Sequence, residues 1–180
     1  MDPTLARRKG RRTSPGGGAR RPAHTTAITA TAERTADGIT VTILGPRPPT
    51  LNAERTGANG GWRHQAEITR LWRGHTKVAA FQIRFGAASP FPLAGPLVAT
   101  VIPLHADDRR AAQDVGACIP AAKAVIDGLR DARIITDDGP DVVTRLVFEA
   151  PIRTQRGDGL ILHLGPTTVG PGEYDDGPTP

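Results

Sequence analysis

Between Asp107 and Asp141 the chain reads DDRRAAQDVGACIPAAKAVIDGLRDARIITDDGPD, and this stretch carries the residue types best suited to charge-driven chemistry. Lys123 and Asp127 stand four residues apart, so on a helix they lie one turn above each other. Asp114 comes before them, and the pair Asp137 and Asp138 comes after. A helix and its return loop of this length can bring both ends of the segment to one place, gathering several carboxylates around one lysine. Grouped carboxylates repel unless something positive sits between them. Mg²⁺ held by oxygen ligands is a common solution. For the Asp-Asp-Gly-Pro stretch there is also a plainer reading, since Asp and Gly favour turns for their own backbone reasons. Asp127 has one too, a simple ion pair with Lys123.

The elements that must position these residues follow from pattern. Pro120 stands where a first-turn proline loses no hydrogen bond, and Ala122, Val125, Ile126 and Leu129 then repeat at the spacing of an apolar helical stripe. That stripe should face a sheet. Upstream, Ile39–Leu44 (ITVTIL) is rich in β-branched residues and bounded by glycines, a strand signal. The loop GPRPPTLNAERTGANGG follows, because its prolines and glycines oppose regular structure. Trp62–Ala79 has the clearest helical period. Ile68, Leu71, Trp72, His75, Val78 and Ala79 are expected on the buried face. Arg63, Glu67, Arg70, Arg73 and Lys77 are expected on the charged one, which is either merely solvated or a phosphate-binding surface.

Leu97–Leu104 reads as a second strand, delivering His105, Asp107 and Asp108 to its end, with Arg109 and Arg110 beside them to neutralise the acids. After the paired aspartates, Val142–Ala150 and Gly159–Leu164 read as two more strands, joined by a polar hairpin-like segment. Strand, helix, strand, helix, strand, strand describes an α+β fold: a small mixed β-sheet backed by two main helices.

Composition bounds the rest. Residues 1–36 hold eight Arg and Lys against Asp2 and Glu33, whereas the whole chain is +5, so the remainder sums to −1. Residues 1–36 are therefore expected to be a disordered basic tail able to hold phosphate loosely. Residues 37–166 are expected to form the folded domain, and 167–180 a disordered acidic, Pro- and Gly-rich tail. The single cysteine, Cys118, excludes an internal disulfide framework and multi-cysteine zinc sites, and suits a reducing cytoplasm. No apolar run approaches the ~20 residues that cross a bilayer.

These residues resemble a family. RRAAQD followed by IPAAKAVIDGLRDARIITDDGPDVV is similar to the core motif of the RusA Holliday junction resolvases, whose pattern includes K-x-x-x-D-G-L with a D-D turn about ten residues on. GPRPPTLN resembles the family's Pro-Pro-x-x-Asn loop, and WRHQAEITRLWR its Arg-rich first helix. Ala117 departs from the motif, which has Asn there, and Arg109-Arg110 stands farther from Asp114 than is usual. The likeness spans roughly Ile39–Leu164.

The resemblance implies a homodimeric, prokaryotic or phage-borne cytoplasmic endodeoxyribonuclease. Such an enzyme resolves four-way DNA junctions by paired nicks, with Mg²⁺ as cofactor, in recombination and repair. It implies Asp114, Lys123 and Asp138 as catalytic residues, with Asp114 and Asp138 on the metal and Asp137 as the alternative second ligand. It also implies Asp127 behind Lys123, and Arg63, Arg70, Arg73, Lys77, Arg109 and Arg110 toward DNA. Phosphodiester hydrolysis needs an activated water and a stabilised dianionic transition state, tasks that a carboxylate-held Mg²⁺ and a nearby lysine perform. The alternative expectation is a catalytically weak or inactive relative that grips the phosphate backbone through its Arg-rich tail and first helix.

Overall fold

The computed structural model describes residues 27–45, 61–85, 91–106 and 115–166, without the side chains of residues 61–64 and 115. Its elements are β1 (Thr29–Arg34), β2 (Ile39–Leu44), α1 (Gly61–Arg84), β3 (Leu97–Ala106), a 3₁₀ turn (Val115–Cys118), α2 (Ile119–Asp131), β4 (Val143–Phe148), β5 (Ile152–Thr154) and β6 (Gly159–Pro166). The fold is α+β, one mixed six-stranded sheet with two helices, as expected.

Strand order is β1-β2-β6-β3-β4, with β5 also pairing β3. Alternation along the central strands explains the layering. Ile39, Val41 and Ile43 point to one side with Leu160, Leu162 and Leu164 opposite them, and all six are fully buried. Ala99 and Val101 continue the same rows and are also fully buried. Thr40, His163 and Thr100 form a cross-strand row on the other side. The two helices cover the apolar side, contributing Ile68, Trp72 and Ala80 from α1 and Ala121, Ala122, Ala124, Val125, Ile126 and Leu129 from α2.

Two strand expectations are corrected. Residues 29–34, read as part of the basic tail, form β1 and pair antiparallel with β2 from Thr29↔Leu44 to Arg34↔Ile39. The segment TATAER has only alanines to bury, so its apolar signal was weak, yet Ala30 and Ala32 pack on the core once β2 offers a free edge. The last strands do not make a hairpin. β4 and β5 both run parallel to β3 on one side of it, while β6 lies antiparallel on the other. The polar segment between them carries β5, which sequence reading took for a connection.

α1 also turns differently from expectation. Trp72 is fully buried as predicted, but Leu71 is 37% exposed, Val78 is 60% exposed, and His75 faces solvent as well. Ile68 and Ala79 are buried as expected, and Thr76 and Ala80 are buried in place of the three outward residues. The apolar residues of α1 form two stripes rather than one, and periodicity alone could not say which stripe the sheet would select.

Helix α2 ends in a Schellman cap. The N–H of Ile134 donates to the Leu129 carbonyl at 3.0 Å and that of Arg133 to the Arg130 carbonyl at 2.8 Å. The cap places Arg133 in the left-handed region, φ 57°, a position that glycine usually occupies. The chain then runs through Ile134 and Ile135, both buried, and is tied to Leu93 before it reaches Asp137 and Asp138.

Candidate functional site

The charged cluster is built from one edge of α2. Lys123, Asp127, Arg130 and Asp131 follow at i, i+4, i+7 and i+8, so a helical period stacks them along one side. The opposite sides of α2 are spent on the core. Asp127 and Asp131 approach α1 because Gly128 removes the obstacle between the helices. A Cβ at Gly128 would lie 2.7 Å from the Arg73 carbonyl oxygen and 2.8 Å from Thr76 Cβ.

Within this edge each carboxylate meets a cation. Lys123 Nζ donates to Asp127 Oδ1 at 2.5 Å and also to Asp138 Oδ2. Arg130 Nη1 donates to the other Asp138 oxygen, Oδ1, at 2.5 Å. On the α1 side, Arg73 grips Asp131 in a bidentate pair, Nε to Oδ2 at 2.7 Å and Nη2 to Oδ1 at 2.8 Å. Its Nη1 reaches Asp127 Oδ2 at 3.9 Å. Asp137 accepts the Asp138 N–H on Oδ1 at 2.8 Å, which sets the turn that aims Asp138 back at α2.

The electrostatic consequences follow from these contacts. The Lys123 hydrogen bond, with Arg130 assisting, holds the Asp138 carboxyl well below the usual carboxylate range despite the opposing cost of burial. Partial burial pulls Lys123 down, but its bonds to Asp127 and Asp138 outweigh this and raise it above its ordinary value. The Arg73 hydrogen bond lowers Asp131, and the same bond raises Arg73. Every group of the cluster whose titration is shifted is thus held in its charged form.

The structure therefore brings together Lys123, Asp127 and Asp138 from the predicted set. It places Asp137 beside them, its carboxylate accepting the N–H of Asp138. Arg73, predicted to face DNA, is committed to Asp131, with 41% of its side chain still exposed. Arg70 and Lys77 are exposed on the same helix. Asp114, Arg109 and Arg110 lie outside the described residues, as do Asp107 and Asp108 and the side chain of Arg63. His105 is buried at the end of β3, 7% exposed. Sequence reasoning passed over Arg130 and Asp131. Their signal was present, since they continue the Lys123–Asp127 period by one more turn.

The donor chemistry bears on Mg²⁺. Carboxylate oxygens suit a hard cation, but among the described residues no three His, Cys, Asp or Glu side chains gather for a metal ion. The positive charge between Asp127 and Asp138 is the Lys123 ammonium, and both oxygens of Asp138 are engaged.

On the far side of the sheet, Thr40 Oγ1 lies 3.1 Å from His163 Nδ1 beside a shallow cavity of about 180 Å³ lined by Asp37, Thr100 and Arg145. The sheet separates it from the α2 cluster. No family model, curated protein or solved structure matches the chain in comparisons with known proteins.

Proposed function

We propose that the chain is a Mg²⁺-dependent, structure-selective DNA endonuclease of the RusA type that nicks four-way junctions in pairs as a homodimer. The observation that carries this reading is the convergence of Lys123 and Asp127 on α2 with Asp138, fifteen residues beyond Lys123, at one point on the surface. An exposed Arg70 and Lys77 on the adjoining helix offer phosphate contacts. Asp138, with Asp114 and with Asp137 as the alternative, would hold the metal. Bound there, Mg²⁺ would lower the pKa of a water and polarise the scissile phosphate. Lys123 would offset charge developing on the phosphoryl oxygens, being a compact ammonium more than half exposed. Asp127 and Arg130 would keep Lys123 and Asp138 in position. Arg73, through Asp131, would fix α2 against α1.

A second reading rests on the same cluster. Asp138 is satisfied by two cations, so the Asp-Asp turn has a structural role without any metal. In that case the chain grips branched DNA through its basic residues and does not cut it.

A labelled synthetic four-way junction separates the two. The nuclease reading expects paired nicks with Mg²⁺, none with EDTA, and a loss of at least two orders of magnitude for Asp114→Asn and Asp138→Asn while junction binding persists. Unchanged nicking by Asp138→Asn removes the metal assignment. Binding by the wild type with no cutting under any divalent condition establishes the second reading.

A further inference from the structure

The sheet face turned away from the helices is polar along one row and hollowed beside it. His163 on β6 and Thr100 on β3 stand directly opposite each other. The next pair on that face, Gly165 and Val98, forms the floor of the cavity of about 180 Å³. Gly165 makes the hollow, since a Cβ there would lie 3.2 Å from His163 Nε2 and 3.3 Å from the Asp37 carbonyl oxygen. A β-bulge supplies a further wall. The register between β3 and β4 steps from Leu97↔Val143 to Val98↔Arg145, so Thr144 is the extra residue and Arg145 is brought to the cavity side. The Thr144 hydroxyl donates to the Leu97 carbonyl at 3.1 Å and holds the bulge in place. Bulges re-aim side chains in this way and are over-represented beside functional sites.

The fold makes little other use of the groups around this hollow. Among the described residues Arg145 enters no ion pair and no side-chain hydrogen bond. His163 Nδ1 lies 3.1 Å from Thr40 Oγ1, which leaves Nε2 above Gly165. Asp37, at the rim, accepts the Thr35 hydroxyl on Oδ1 at 3.0 Å and keeps Oδ2 for another donor. An exposed arginine alone is an ordinary solvated charge. Here a guanidinium, an imidazole nitrogen and a hydroxyl come from three adjacent strands to one glycine-floored depression.

We propose that this hollow binds the phosphate monoester of a phosphorylated sugar. With the Thr40 hydroxyl donating to Nδ1, the ring proton of His163 sits on Nε2 and faces the ligand. Arg145, His163 and Thr100 then each donate to a different phosphate oxygen, and the planar fork of Arg145 suits that group. A carboxylate has only two oxygens in one plane and leaves one of these donors unmet. The free oxygen of Asp37 repels a bare anion and accepts from a sugar hydroxyl, so a sugar phosphate fits better than inorganic phosphate. The site lies across the sheet from Lys123 and Asp138 and stands apart from the hydrolytic reading, which the junction assay decides.

Calorimetric titration of the full chain with ribose 5-phosphate should show one site, with inorganic phosphate and unphosphorylated ribose each at least tenfold weaker. Arg145→Gln should weaken ribose 5-phosphate at least tenfold, the scale of one hydrogen bond to a charged group. Because Arg145 is exposed, that variant should melt with the wild type. Gly165→Ala should fill the hollow and lose the ligand. Thr40→Val, which touches only the imidazole, should weaken binding several-fold and change the tautomer that nitrogen NMR reads at His163. Asp138→Asn should bind ribose 5-phosphate as the wild type does, so a failed junction assay leaves this site intact. A short 5′-phosphorylated oligonucleotide carries the same group. Binding more than tenfold tighter than the free sugar phosphate, lost without the 5′-phosphate, would assign the site to a nucleic-acid end, and equal binding to the small molecule. No binding of either at millimolar concentration would overturn the site, as would binding that Arg145→Gln leaves unchanged. Equal affinity for inorganic phosphate would overturn the sugar contact at Asp37.

Discussion

Gly74 and Gly128 are both interior helix residues, and the same added methyl group would meet opposite surroundings. At Gly74, on α1, it would enter open space. At Gly128, on α2, it would strike the Arg73 carbonyl and Thr76. The difference shows how the two helices divide their tasks. Helix α2 is packed on nearly every side, against the sheet and against α1, and only the edge carrying Lys123, Asp127 and Arg130 is left to solvent. Helix α1 buries one stripe and presents a second. The Asp-Gly-Leu of the motif is thus partly a packing signature. Asp127 faces the cluster, Gly128 admits the backbone of α1, and Leu129 fills the core.

Substitution at the tighter glycine tests the comparison most severely. Gly128→Ala should destabilise the fold by about 2 kcal/mol, because overpacking against a backbone oxygen outweighs a helix-propensity gain of at most ~1 kcal/mol. Chemical denaturation reads this directly, and a neutral result would show that the helices slide apart at little cost.

The exposed edge of α2 comes next. Asp138→Asn should cost about 1.5–3 kcal/mol at neutral pH, the scale of hydrogen bonds to charged groups. The folded Asp138 titrates below its unfolded value, so its contribution is complete above the unfolded value near ~4 and is lost as pH falls from there toward the folded one. The gap between wild type and variant, followed by denaturation from pH 7 downward, should therefore narrow below about pH 4. A gap that stays constant would mean that the Lys123 and Arg130 contacts do not form in solution.

The smallest effect has the opposite sign. Gly74→Ala should stabilise the dilute chain by about 0.5–1 kcal/mol, from propensity alone. Loss of stability there would mean that α1 is covered by something other than solvent. Together with Gly128→Ala it forms a matched pair that differs only in surroundings.

Much of the fold could be read before any coordinates. Alternation in ITVTIL, LVATVIPL and GLILHL placed the three central strands, because half-buried strands must alternate. The period from Pro120 to Leu129 placed α2, and the buried Trp72 was anticipated. β1 escaped because alanine and threonine carry little apolar signal until a free strand edge is available to pair with them. The parallel pairing of β4 and β5 escaped because local pattern says nothing about which side of β3 a strand will join.

For the site, the residue types and the i,i+4 spacing of Lys123 and Asp127 determined that they would meet, since a helix fixes that geometry over a few residues. The Schellman turn at Arg133 and the bond from the Asp138 N–H to the Asp137 carboxylate are local as well. Only the tertiary structure decided that Asp138 would return to Lys123 and Arg130, that Arg73 would be taken by Asp131, and that Leu71 and Val78 would face outward. The first depends on the path of the chain after α2, where Ile134 and Ile135 are tied to Leu93, and the other two on where α1 and α2 cross. That crossing is set by the fit of Gly128 against the α1 backbone and by burial of Trp72, contacts between residues more than fifty positions apart.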